Sequence, residues 1–353
     1  MPRSSLARPA LAAVAVAGLL GALSGTPAVG AGAPQGRVFA VNPVQSSGNE
    51  NLTDHKDAAT AELAAQYVTV PLTDLDGSGY LRGTWANVRG TTGDLAKISS
   101  TGTFVYDRHD DRFEQVMAYY WVTEAQHYLQ SLGFGGANGD LRPVNAESQD
   151  IRLNQYGVDN SFSWDKKDLL RFGKGGVDDA EDGEVIVHEY GHAVHDSQVP
   201  GFGSSEEAGS IGEAFGDYLA VSVGLWAADH NGWAVQTPPA CVADWDSVSY
   251  TSTVPHCLRR IDGNKTVADK DGEVHDDGEI WSRALWDIRN GYVRNGLTTA
   301  RADTTIIDAQ FSFAADTSFS AAAEATYTTA LHRDGSKAAS TVKAAFAARG
   351  ITF

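Results

Sequence analysis

Basic residues are scarce in this chain, and so is cysteine. Only 27 lysines and arginines stand against 45 aspartates and glutamates, a formal net charge of −18 over 353 residues. Nucleic acids and anionic membrane surfaces both need a basic face, so neither is expected as a partner. The acidic surplus reads as a solvated surface. After Gly36 no apolar run is long enough to cross a bilayer. Internal repeats and long linkers are absent as well. The only two cysteines, Cys241 and Cys257, can close one small loop in an oxidising compartment, stabilising by roughly 3 kcal/mol. Two unpaired thiols are the alternative.

What remains is the composition of an ordinary folded protein, 42% apolar, 20% charged and 9% aromatic. The length suffices for two lobes, each with a core. The N-terminus stands apart. Arg3 and Arg8 precede an apolar run over 11–23, and small residues follow over 24–33. This is the pattern of a secretory signal peptide, assigned to 1–31, with cleavage expected between Ala28 and Ala33. A retained membrane anchor is the alternative.

From Arg37 to about Phe172 short segments rich in β-branched and aromatic residues predict strands at 38–41, 68–70, 80–88 and 103–106. Phe113, Val116, Met117 and Tyr120 recur at helical spacing, and that helix runs to a stop at Gly133. The stretch from Asp74 to Gly79 lacks the acid of a calcium loop, because Trp85 holds its position, and reads as a tight turn. After Gly176 the pattern turns helical. Five acids, Asp178, Asp179, Glu181, Asp182 and Glu184, precede Val185 to His188, where negative charge suits a helix N-terminus. Pro200-Gly201 ends that helix. Further helices are predicted over 211–226, 279–292, 321–331 and 337–349.

The informative segment is His188-Glu189-Tyr190-Gly191-His192. Residues four apart share a helix face, so the two imidazoles can converge on one zinc ion, one per chain. Glu189 follows the first ligand, placed to act as a base on water without itself being a ligand. Twenty-one residues after His192 comes Glu213, in Gly212-Glu213-Ala214-Phe215-Gly216-Asp217. Two histidines and one glutamate leave a fourth position open, as in a catalytic zinc site. Asp217, on the same helical face as Glu213, can accept the free N–H of His188. His195 lies roughly 10 Å along the helix from His188 and reads as a packing or surface residue.

Taken together, these segments resemble the thermolysin-like zinc metalloproteases, and more closely the fungalysin group. Further matches are Asp159-Asn160-Ser161-Phe162, the acidic lead-in from Gly176 to Asp182, and Gly272-Glu273-Val274-His275 followed by Gly278-Glu279-Ile280-Trp281. The likeness runs from about Phe39 to the C-terminus. It implies that Asn160 binds substrate backbone at an edge strand and that His275 donates to the oxyanion of the tetrahedral intermediate. It also implies a large apolar residue just after the cleaved bond, with Arg259 or Arg260 as candidates to line that pocket and a structural salt bridge as the alternative for either.

Three features depart from the family pattern. The segment Gly201-Phe202-Gly203 lacks thermolysin's second oxyanion donor, a tyrosine, and Tyr190 or another tyrosine is the candidate substitute. No set of acids matches thermolysin's paired calcium site, so a calcium requirement is open. Between the signal and the strand-rich region the long propeptide these proteases carry is not expected, so the chain either folds without one or is a compact variant.

The resulting expectation is an α+β, two-lobed fold. A β-rich lobe over 37–198 ends in the zinc helix, and an α-helical lobe covers 199–353. The expected activity is that of a secreted, monomeric zinc endopeptidase acting on peptides or proteins. The rivals are a catalytically weak or inactive zinc-binding homologue and an exopeptidase of the same clan.

Overall fold

The β-branched segments of the first half pair into small sheets in the computed structural model, which describes residues 32–90, 93–136, 139–155 and 157–353. The signal-peptide assignment lies outside these residues. The strands in chain order are β1 (Gln35–Phe39), β2 (Tyr67–Pro71), β3 (Ala86–Val88), β4 (Thr103–Phe104), β5 (Gln149–Arg152), β6 (Phe162–Trp164), β7 (Leu169–Arg171), β8 (Cys241–Val242) and β9 (Arg259–Arg260). β1 lies between β2 and β4 in one sheet, and a second sheet runs β3-β5-β7-β6. This leaves β6 on an edge, directly after Asn160. β8 and β9 form an antiparallel pair of their own.

The single strand predicted over 80–88 is instead a turn leading into β3. Arg82 bridges Asn87, and Gly83 N–H bonds the carbonyl of Ala86. The tight turn expected near residue 76 is present, with Ser78 N–H donating to Oδ1 of Asp76 at 2.7 Å.

The helices are α1 (Pro43–Ser47), α2 (Ala61–Ala64), α3 (Arg112–Ser131), α4 (Gly183–Gln198), α5 (Glu206–Asn231), α6 (Val274–Arg294), α7 (Thr299–Gln310), α8 (Phe319–Asp334) and α9 (Ser336–Ala348). Strands therefore concentrate before residue 172 and helices after it, a mixed α and β fold. Among the described residues no helix is long and apolar enough to cross a membrane.

One hydrophobic core gathers β1, α3 and α4, with Phe39, Phe104, Trp121, Ile186 and Val194 fully buried. A second gathers α6 to α9 around Trp281, Ile288, Val342 and Phe346. α5 serves both. Phe215 and Leu219 belong to the first core, and Ile211 and Tyr218 to the second. A helix apolar on nearly every side is one that other elements surround. Its polar exceptions, Glu213 and Asp217, therefore face something specific.

Candidate metal centre

Three devices set α4 in place. Asp182 caps it, with Oδ1 accepting from Glu184 N–H at 2.9 Å, while Oδ2 takes the backbone N–H groups of Trp245 and Asp246 at 3.2 Å. The turn before it is anchored by Arg108, whose guanidinium donates to Glu181 at 2.7–3.0 Å with both side chains fully buried. Such a pair holds geometry more than it adds stability, because desolvation offsets most of the attraction. Finally, α4 and α5 touch through glycine. A Cβ on Gly191 would fall 2.9 Å from the Cα of Gly216, and a Cβ on Gly216 would fall 2.6 Å from Nδ1 of His188. No larger residue leaves room for that ring.

This close approach brings both motifs to one point. His188, His192 and Glu213 offer ligand atoms that all lie within 4.8 Å of one another. Nε2 of His188 is 3.2 Å from Oε2 of Glu213, and Nε2 of His192 is 3.6 Å from Oε1. Ligand atoms placed tetrahedrally about zinc at its usual bond lengths stand about 3.3 Å apart, so the spacing fits that ion. Oε2 of Glu213 is buried without a hydrogen-bond donor, and so is Oε2 of Glu189. Both observations fit a cation held among these groups.

The charges agree. Burial opposes a proton on His188, but Asp217 and Glu213 outweigh it and raise its pKa to about 10. His192 is lowered to about 4, chiefly by burial. Burial works against ionised Glu213, yet His192 and His188 hold its carboxyl well below the usual range. Glu189 is pushed up to about 7, chiefly by burial.

Around this centre the other site residues fall as follows. Asp217 accepts from Nδ1 of His188 at 2.9 Å and receives Arg259 through two bonds of 2.7 Å. His275 stands in the first turn of α6, half exposed. Its Nδ1 is 2.6 Å from Glu273, and its Nε2 is 3.4 Å from Oε2 of Glu213. Asn160 and Arg259 line the same cleft of about 620 Å³ as His188, Glu189 and His275. Arg260 does not. It pairs with Asp262 at 2.8 Å, away from the cleft lining. Tyr190 is fully buried and donates to Gln126 at 2.7 Å, whereas Tyr250 lines the cleft. His195 is packed between Phe202 and Phe215.

Sequence reasoning missed Tyr250 and the bond between Arg259 and Asp217. No local pattern marks either. Cys241 and Cys257 are joined in a disulfide, which ties β8 to the segment leading into Arg259.

Comparison with known proteins identifies the family and the fold. The extracellular metalloproteinase mep of Aspergillus flavus is 23% identical over 184 residues, 44% of this chain and 26% of that protein. Extracellular metalloproteinase 2 of Arthroderma otae is 24% identical over 235 residues, 53% of this chain and 34% of that protein. The matched region thus spans about a quarter of one relative and about a third of the other. The precursor of protealysin, a metalloproteinase from Serratia proteamaculans, superposes with a TM-score of 0.55 at 17% identity, covering 76% of this chain and 86% of that one. It shares the fold. The family model of the fungalysin metallopeptidases (M36) matches residues 116–353, about two thirds of the chain, and the protein belongs to that family.

Proposed function

We propose that this protein is a secreted zinc endopeptidase. The convergence of His188, His192 and Glu213 beside Glu189, in one cleft with Asn160 and His275, carries the reading. His188, His192 and Glu213 would hold the metal, and bound zinc supplies Lewis acidity toward a carbonyl and a water. Glu189 has an oxygen free of hydrogen bonds. It takes a proton from the attacking water and delivers it to the leaving amine. Nε2 of His275 donates to the oxyanion that forms as the carbonyl is attacked. An extended peptide adds alongside edge strand β6, with Asn160 fixing its backbone.

The two hydrophobic cores on either side of α5 support a two-lobed reading, with the β-rich lobe ending at 198. Two extracellular relatives and the apolar N-terminal run support secretion. Casein digestion by the purified chain tests the activity. Loss of hydrolysis on chelation and its return on adding zinc are expected. A folded, zinc-loaded chain that cuts nothing would instead indicate a zinc-stabilised binding protein.

A further inference from the structure

One wall of the cleft carries three carboxyl groups with no basic partner. Asp159, Asp179 and Asp246 offer carboxylate oxygens that all lie within 4.8 Å of one another. They come from three separate segments: the approach to β6, the turn before α4, and the turn after β8. Asp179 and Asp246 are 2% and 5% exposed, and Oδ1 of each is buried without a hydrogen-bond partner. Their other oxygens are held in place, Asp179 by the hydroxyl of Ser161 and Asp246 by that of Tyr250 at 2.9 Å. Among the described residues no lysine, arginine or histidine forms an ion pair with any of the three. Arg259, the nearby cation of the cleft, is committed to Asp217.

Buried carboxylates without a countercharge are costly, and here burial pushes Asp179 up to about 7 and Asp159 to about 6. A cation placed among them removes that cost. All three line the cleft that holds His188 and Glu189, next to the apolar surfaces of Val185, Val242 and Leu258. Apolar walls ending in carboxylates suit a long aliphatic stem with a charged head.

We propose that Asp159, Asp179 and Asp246 receive the lysine or arginine side chain of a substrate residue flanking the scissile bond. This rests on the peptidase reading and narrows it to substrates with basic cleavage sites. It replaces the large apolar preference that the family resemblance implies.

The test is cleavage of a peptide library by the zinc-loaded chain, followed by kcat/KM for matched peptides with Arg, Lys, Leu or Phe beside the bond. Wild type should prefer the basic peptides by about tenfold or more, and Asp246→Asn or Asp179→Asn should reduce that ratio about ten- to a hundredfold. A ratio does not depend on how much of a variant folds. Asp159 is exposed, so Asp159→Lys should fold normally and turn the preference toward acidic peptides. Equal cleavage of basic and apolar peptides by wild type, or a ratio indifferent to all three variants, overturns the proposal while leaving the peptidase reading intact. Millimolar calcium raising the melting temperature of wild type but not of Asp246→Asn overturns it in favour of a divalent-ion site. No cleavage of any peptide by the folded, zinc-loaded chain overturns both readings.

Discussion

Oδ1 of Asp217 lies 2.9 Å from Nδ1 of His188, and this turns the ring's other nitrogen toward Glu213. A carboxylate can only accept, so Nδ1 carries a proton, and Nε2 is the nitrogen a metal would take in place of the second proton that the metal-free ring holds. Arg259 in turn holds Asp217 through both oxygens and keeps that carboxyl ionised, its pKa lowered to about 2 although burial alone would raise it. Replacing Asp217 by Asn leaves the shape but removes the charge. Zinc affinity is expected to fall about 10- to 100-fold, as read by competition with a chelator of known strength. Unchanged affinity would mean that packing alone orients the ring.

Gly216 makes room for that ring. Alanine in a helix interior ordinarily stabilises by roughly 1 kcal/mol over glycine, but here its methyl would meet His188 at 2.6 Å. Gly216→Ala should therefore destabilise the metal-free chain by about 1–3 kcal/mol and weaken zinc binding as well. Urea unfolding and chelator competition measure the two effects separately. A stabilised variant with intact affinity would show that the contact is not tight.

Stability should decline with rising pH. Asp244 is fully buried, and burial, with repulsion from Asp182 added, raises its pKa to about 8. In the unfolded chain it titrates near 4. The folded state thus keeps a proton that the unfolded state gives up. The stabilisation is complete below about pH 4 and is lost as pH rises through about 8. Asp178, Glu181 and Asp182 are raised by burial in the same direction. The free energy of unfolding in urea should fall by roughly 2 kcal/mol or more from pH 5 to pH 8.5, and by less in Asp244→Asn. Equal slopes would contradict the assignment.

Much of the centre could be read from the sequence because its parts repeat with the helical period. His188 and His192 lie one turn apart on α4, and Glu213 and Asp217 one turn apart on α5, so each pair identified its own helix face. Contacts between distant segments left no such trace. Arg259 and Arg260 are neighbours in β9, where successive side chains point to opposite faces, and only the sheet's placement decides which one enters the cleft. The acids before α4 suit a helix start, and Asp182 caps it, but no local pattern marks Glu181 and Asp182 as also buried and bonded to Arg108, Trp245 and Asn42. α7 was missed because its threonines and isoleucines carry weak helix propensity. It is held by packing, with Ile306 and Ile307 buried.

Glu189→Gln tests the proposed chemistry most directly. The substitution keeps the side chain's size and removes only its capacity to take a proton. The variant should bind zinc as tightly as wild type while casein hydrolysis falls by about 10²-fold or more. A variant that binds zinc and digests casein at the wild-type rate would contradict the assignment of Glu189 as the base.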